Sequence, residues 1–212
     1  MSPILKKISR VSAALACSAL LVSCDRILTP DFDTNVAEMR GGAYVLDKTH
    51  ATILWKVNHL GFSTYIGRFN EFDASLDFDP ANLTASRVEV IIDASSLDVN
   101  NESFENDLRG SDWFNTEQFP QIVFRSTSLV RSIDDNSFVF AGDLTLLGVT
   151  KQVELNVDFN GGGRNFLTRR NTLGFAATTT VKRSEFGLDN LVAFGVGDDI
   201  DLEIHVEFQA AQ

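Results

Sequence analysis

Thiols are scarce in this chain of 212 residues: Cys17 and Cys24 are the two cysteines, and none follows Asp25. The body of the protein therefore holds no disulfide framework, thiolate metal site or cysteine nucleophile, and its stability must come from a packed core. Histidine is nearly as rare, with His50, His59 and His205. A three-histidine zinc site would need all three to converge, yet His205 falls on the outward parity of its strand. No Gly-x-Ser-x-Gly elbow occurs, and neither "FGLDN" nor "GFSTY" replaces one. Basic residues number 18 against 29 acidic ones, for a net charge of −11. That balance argues against nucleic acid and against sliding along anionic lipid by charge alone. Long helical periodicity and internal repeats are also missing.

The N-terminal residues read as an address. Lys6, Lys7 and Arg10 precede the apolar run "VSAALACSALLV", which is too short to span a bilayer comfortably and ends at Leu21-Val22-Ser23-Cys24. This order describes an export signal over residues 1–23. The last four residues resemble the lipobox of bacterial lipoproteins. The resemblance implies acylation of Cys24 and membrane anchoring through it, facing the periplasm of a bacterium; Asp25 favours the inner membrane, with the outer membrane as the alternative. Removing the signal takes away three basic residues and moves the charge from −11 to about −14. Residues 24–41, polar and weakly periodic, with Pro30 before Gly41-Gly42, are expected to form a lipidated tether, and residues 42–212 a single domain.

What the domain has in abundance is period-two alternation. Ile53, Trp55 and Val57 share one face against Thr52, Lys56 and Asn58, and Phe72, Ala74, Leu76 and Phe78 share one against Glu71, Asp73, Ser75 and Asp77. The pattern returns around Val90, Phe124, Phe140, Leu155, Phe175 and Ile204, which makes about eight strands. The clusters Asp134-Asp135-Asn136 and Gly161-Gly162-Gly163 read as turns between them. One apolar face, one polar face and no crossover helices mean antiparallel pairing. Two packed sheets and a closed barrel would both use this pattern. Phenylalanine is abundant, at 17 residues, and can either fill a solid core or line an elongated cavity.

The stretch "NNESFENDLRGSDWFNTEQFPQIVF" breaks the rhythm. It predicts a short helical segment near residues 103–114 across one end of the sheet structure, with Phe104, Leu108, Trp113 and Phe114 as an apolar plug. A lid over a ligand and a cap on a core would look the same here.

Four stretches in fixed order then carry a resemblance: "YVLDKTHATILWKVNHLGFSTYIGRF", "LRGSDWFNTEQFPQIVFRS", "GDLTLLGVTKQVELNV" and "KRSEFGLD". Together they resemble the YceI-like family, lipocalin-like bacterial proteins that bind polyisoprenoids, over residues 43–208. The Arg-Asp-x-His-Leu-like run common in that family is replaced by "NDLRGSDWF", so its histidine is absent. The resemblance implies an all-β, eight-stranded antiparallel lipocalin-like barrel. Its lumen would hold an isoprenoid-type lipid, such as the tail of a quinone or a polyprenyl compound, or a similar long amphiphile. Parity and the matched motifs together assign the lining to Ile53, Trp55, Val57, Phe62, Phe69, Phe72, Leu76, Phe124, Phe140, Leu144, Leu155 and Phe175. His59 and Arg183 are expected as polar contacts, and Gly61 and Gly67 as bends near His59. The expected role is non-catalytic carriage or sequestration, with no metal and no cofactor other than such a lipid, and with a homodimer left open. The competing reading is an enzyme or redox accessory acting on the bound lipid.

Overall fold

The computed structural model describes residues 31–211. The export signal, the lipobox and Cys24 lie outside the described residues. In chain order the strands are β1 (Asp31–Asp33), β2 (Gly42–His59), β3 (Ser63–Phe69), β4 (Phe72–Phe78), β5 (Arg87–Asp93) and β6 (Leu97–Asp98). Helix α1 (Glu102–Arg109) follows, and then β7 (Gln121–Ser132), β8 (Ser137–Leu146), β9 (Val149–Arg164), β10 (Asn171–Lys182) and β11 (Val196–Ala210).

Eight of these strands close on themselves. The neighbour order runs β2, β4, β5, β7, β8, β9, β10, β11 and back to β2, each pair antiparallel. They are the eight strands read from the alternation. Closure of this ring encloses an interior about wide enough for side chains or one slender ligand.

Strand β2 serves two partners because it turns a corner. Its first residues pair with β4, from Gly42↔Phe78 to Val45↔Ser75, and its last with β3, from Ile53↔Phe69 to His59↔Ser63. Between them Leu46 faces Phe208 and Ala51 faces Val206, so the residues from Asp47 to His50 bulge out opposite Glu207 alone. Beyond β3 the sheet continues only into β6, and the chain from Val99 to Pro120 closes this part of the wall and the upper end. Asn101 caps α1 by accepting from the Phe104 amide at 3.2 Å. Arg109 fastens it to the barrel by donating to the carbonyls of Ser95 at 2.7 Å and Leu97 at 3.0 Å.

The structure corrects three local expectations. Gly161-Gly162-Gly163 do not form a turn; they lie inside β9, which runs on to Arg164. A Cβ at Gly161 would stand 2.2 Å from the Phe32 ring, so the missing side chains make a flat seat for β1, which pairs with β9 from Asp31↔Arg164 to Asp33↔Gly162. Gly67 likewise does not bend the chain. It sits within β3 opposite Trp55, where a Cβ would approach the indole to 2.1 Å. From Asp31 to Gly41 the expected tether is docked rather than free. Besides β1, Val36 is buried in the core of the lower end and the Tyr44 hydroxyl donates to the Arg40 carbonyl at 2.6 Å.

Candidate functional site

Inward parity delivers an apolar interior, and packing divides it. The lower half is largely filled by phenylalanines around Phe175, whose ring lies 5.4 Å from Phe159, 6.2 Å from Phe208 and 6.3 Å from Phe78. A cavity of about 140 Å³ remains among them. The upper half is hollower, with a cavity of about 370 Å³ that falls within the ~300–1,000 Å³ range of small-molecule sites. Ile53 lines both, at the junction. The choice between a filled core and a lumen thus has a different outcome in each half.

The residues singled out from sequence divide the same way. Phe72, Leu76, Phe124, Phe140, Leu155 and Phe175 line the lower compartment. Trp55, Val57, His59, Phe69, Leu144 and Arg183 line the upper one. Phe62 is a correction: it stands 88% exposed in the β2–β3 turn, outside both. Alternation had ended at His59, and the turn holds Leu60 at φ 57° and Gly61 at φ 76°, so strand parity no longer dictates where the side chain points.

The plug residues Phe104, Leu108, Trp113 and Phe114 form part of the upper lining. Phe114 meets Phe69 edge-on at 5.9 Å, and Phe104 bridges Tyr65 at 6.0 Å and Trp113 at 6.3 Å. Sequence reasoning missed Tyr65, because β3 was not recognised as a strand, Leu188 and Leu191, which come from an irregular loop without periodicity, and Val196, the first residue of β11. It also missed Val36 in the lower lining, assigned to the tether.

Polar groups are few. His59 is exposed at the upper end of β2, its ring 6.3 Å from Tyr65. Arg183 is buried and donates to the carbonyls of Leu188 at 2.6 Å and Gly197 at 2.8 Å, which clamps the loop between β10 and β11. Burial pushes its guanidinium below the usual arginine value, against the opposing fields of Asp198 and Asp189. Burial also pushes the Tyr65 phenol up, with the Glu105 carboxylate adding to the effect. The indole Nε1 of Trp55 is buried with no hydrogen-bond partner among the described residues.

The histidines are dispersed. His59 faces Val196, and His205 is exposed opposite Thr52 with Glu203 at 2.9 Å. His50 stands in the bulge of β2. There Asp47, His50 and Glu207 bring donor atoms within 4.8 Å of one another on the outer surface. Asp47 accepts from the Thr49 amide at 3.1 Å, the Thr49 hydroxyl at 2.7 Å and Gln209 at 2.5 Å, with His50 Nδ1 at 3.1 Å. Those bonds explain the group as the lock of the bulge. Burial pushes the Asp47 carboxyl up, but the hydrogen bonds from Thr49, His50 and Gln209 outweigh it and hold it at about 2.

A closed antiparallel barrel with an apolar, partly hollow interior and a helical cap defines a lipocalin-like barrel. The chain belongs to the YceI-like family, whose domain matches residues 44–208. A UPF0312 protein of Vibrio cholerae serotype O1 is 35% identical over 190 residues, covering 89% of this chain and 95% of the relative. The YCEI protein of Campylobacter jejuni superposes with a TM-score of 0.64 at 28% identity, over 74% of this chain and 91% of that one. A polyisoprenoid binding domain from Saccharophagus degradans, implicated in plant cell wall breakdown, superposes with a TM-score of 0.58 at 12% identity, over 81% of this chain and all of that one.

Proposed function

We propose that the barrel holds a long isoprenoid-type lipid, such as a quinone or polyprenyl compound, and carries or sequesters it without chemical change. The observation that carries this reading is the upper cavity of about 370 Å³, almost wholly apolar, with a second, smaller cavity below it that shares Ile53 in its lining. Each methylene moved from water into such a space contributes about 0.8 kcal/mol, so a long tail binds through length alone. Polar residues border both cavities, Ser86, Arg87 and Ser126 the lower and His59, Tyr65, Asn101 and Arg183 the upper, but polar atoms face the open space only in the upper one. The head group is therefore assigned there, with the tail running down past Ile53. Family membership and the S. degradans neighbour support the same ligand class. The lipobox resemblance supports a carrier at the cell envelope, tethered through Cys24.

The test is chemical. The purified protein is extracted with organic solvent and the extract is read by mass spectrometry. A stoichiometric prenyl-chain lipid is expected. An extract without lipid from a protein that also takes up none when offered it would overturn the proposal, and so would catalytic turnover of the lipid.

A further inference from the structure

The lower end of the barrel carries a feature that lipid storage does not use. β9 and β10 are joined by a turn within "RNFLTRR", residues 164–170. Its tip is braced: Asn165 Oδ1 accepts from the amides of Leu167 at 2.9 Å and Thr168 at 3.2 Å, and the Asn165 amide donates to the Arg170 carbonyl at 2.9 Å. On this fixed frame Leu167 is 77% and Phe166 43% exposed, although burying either would be favourable. Phe32, on the adjoining β1, is 61% exposed beside them.

Around this tip the charge reverses. A chain with net charge −11 places Arg164, Arg169 and Arg170 within seven residues. Arg164 and Arg170 donate to main-chain carbonyls of Arg169 and Ala210, which aim the guanidinium groups without neutralising them. Among the described residues no carboxylate lies within ion-pair distance of Arg169 or Arg170. The acids on the elements that share this end are Asp33 on β1, Glu38 in the turn after it, and Asp134 and Asp135 in the β7–β8 turn; Asp33 accepts from the Asn35 amide at 2.8 Å.

We infer that the β9–β10 turn is a docking tip for an anionic lipid surface: Phe166 and Leu167 enter the acyl boundary while the arginines meet phosphate oxygens. Guanidinium groups bind phosphate through paired donors, and apolar side chains ringed by basic ones are the signature of interfacial insertion. The opposite end of the barrel also exposes apolar side chains, Phe62 and Phe194 among them, but neither has a lysine or arginine within five residues in the sequence. Position favours the same end. Asp31 pairs with Arg164, so the first described residue lies beside the tip. Cys24 precedes Asp31 by seven positions, a reach of roughly 25 Å at full extension, so an acyl anchor would hold this end at the bilayer. That last step rests on the lipobox reading, whereas the geometry of the tip does not.

The test uses the full chain carrying Cys17→Ser, coupled through Cys24 to a maleimide lipid in vesicles whose phosphatidylcholine has brominated acyl chains, with or without phosphatidylglycerol. Tryptophan placed by Leu167→Trp should be quenched on the anionic vesicles and far less on pure phosphatidylcholine, while Phe62→Trp stays bright. Adding Arg169→Glu should weaken the quenched state at least fivefold, the effect of losing one basic contact at a charged surface. Equal quenching on both vesicles, no quenching at position 167, or quenching at position 62 instead would each overturn the inference. Lipid content measured on the same samples is unaffected by tip variants if both proposals hold. Loss of extractable lipid with the tip still inserting would count against the carriage proposal alone.

Discussion

Leu144 shows what one side chain decides. It lies on the inward parity of β8, 8% exposed, packed in the core of the upper half and lining its cavity. Leu144→Trp should therefore be accommodated in the cavity, with little change in thermal midpoint, while extractable lipid falls several-fold; full lipid content would show that the tail does not occupy this space. Asp47 acts on the opposite surface and through charge. Its folded-state carboxyl sits at about 2, below the ordinary value near 4, so its stabilising contribution is complete above that ordinary value and is lost as pH falls from about 4 through 2. Asp47→Asn removes the contribution, so the difference in urea midpoint between wild type and variant should be full at pH 6 and mostly lost by pH 2. A constant difference would assign the cost to hydrogen bonding alone. The inward partner residues from Ile53 to Phe175 were legible because strand geometry permits only two directions for a side chain. Phe62 was not, since left-handed turn residues obey no such parity, and neither was the reason for Gly67, which is the width of the Trp55 indole across the sheet.

At the scale of elements the eight wall strands could be read because one face of each is polar and the other apolar along its length. β3 escaped notice for the opposite reason: Gly67 interrupts its apolar face just where Trp55 needs room. β1 was hidden by its three-residue length, and its pairing depends on the glycine seat in β9, a match between segments 130 residues apart that no local pattern announces. Helix α1 was expected as a cap, but the means of its attachment was not. Four of its side-chain bonds come from one residue: Arg109 reaches the carbonyls of Ser95 and Leu97 in the preceding strand region, and Asn106 at 3.1 Å and Glu105 at 3.5 Å within the helix. An eight-residue helix has little stability of its own, so it is held chiefly by these bonds and by Leu108, 3% exposed. Arg109→Ala should therefore raise amide exchange across residues 102–114 while leaving β8 to β11 protected, and should speed lipid release. Unchanged exchange in that segment would mean that Leu108 and the aromatic plug hold the cap without the arginine.

Across the whole molecule the two compartments differ in packing but share their walls. β2, β9 and β11, at 18, 16 and 15 residues, run through both the phenylalanine-filled half and the hollow half, and closure ties each to two neighbours. A vacant upper cavity therefore cannot let its half unfold separately; its missing contacts lower the stability of one cooperative unit. A bound lipid that spans Ile53 acts on the same unit through mass action. At a hundredfold excess over Kd it adds about 2.7 kcal/mol, and for a domain of this size each kcal/mol moves the midpoint by roughly 2–4 °C. Stripping the lipid should lower the thermal midpoint by about 5–10 °C in a single calorimetric transition, restored by adding back a prenyl-chain lipid. Two separated transitions would show that the halves fold independently, and an unmoved midpoint that the lipid contributes nothing to the native state. The direction of loading follows from the same architecture. The lower half is crowded by Phe175 and its neighbours, so a tail entering from the upper end meets open volume first and the aromatic packing last.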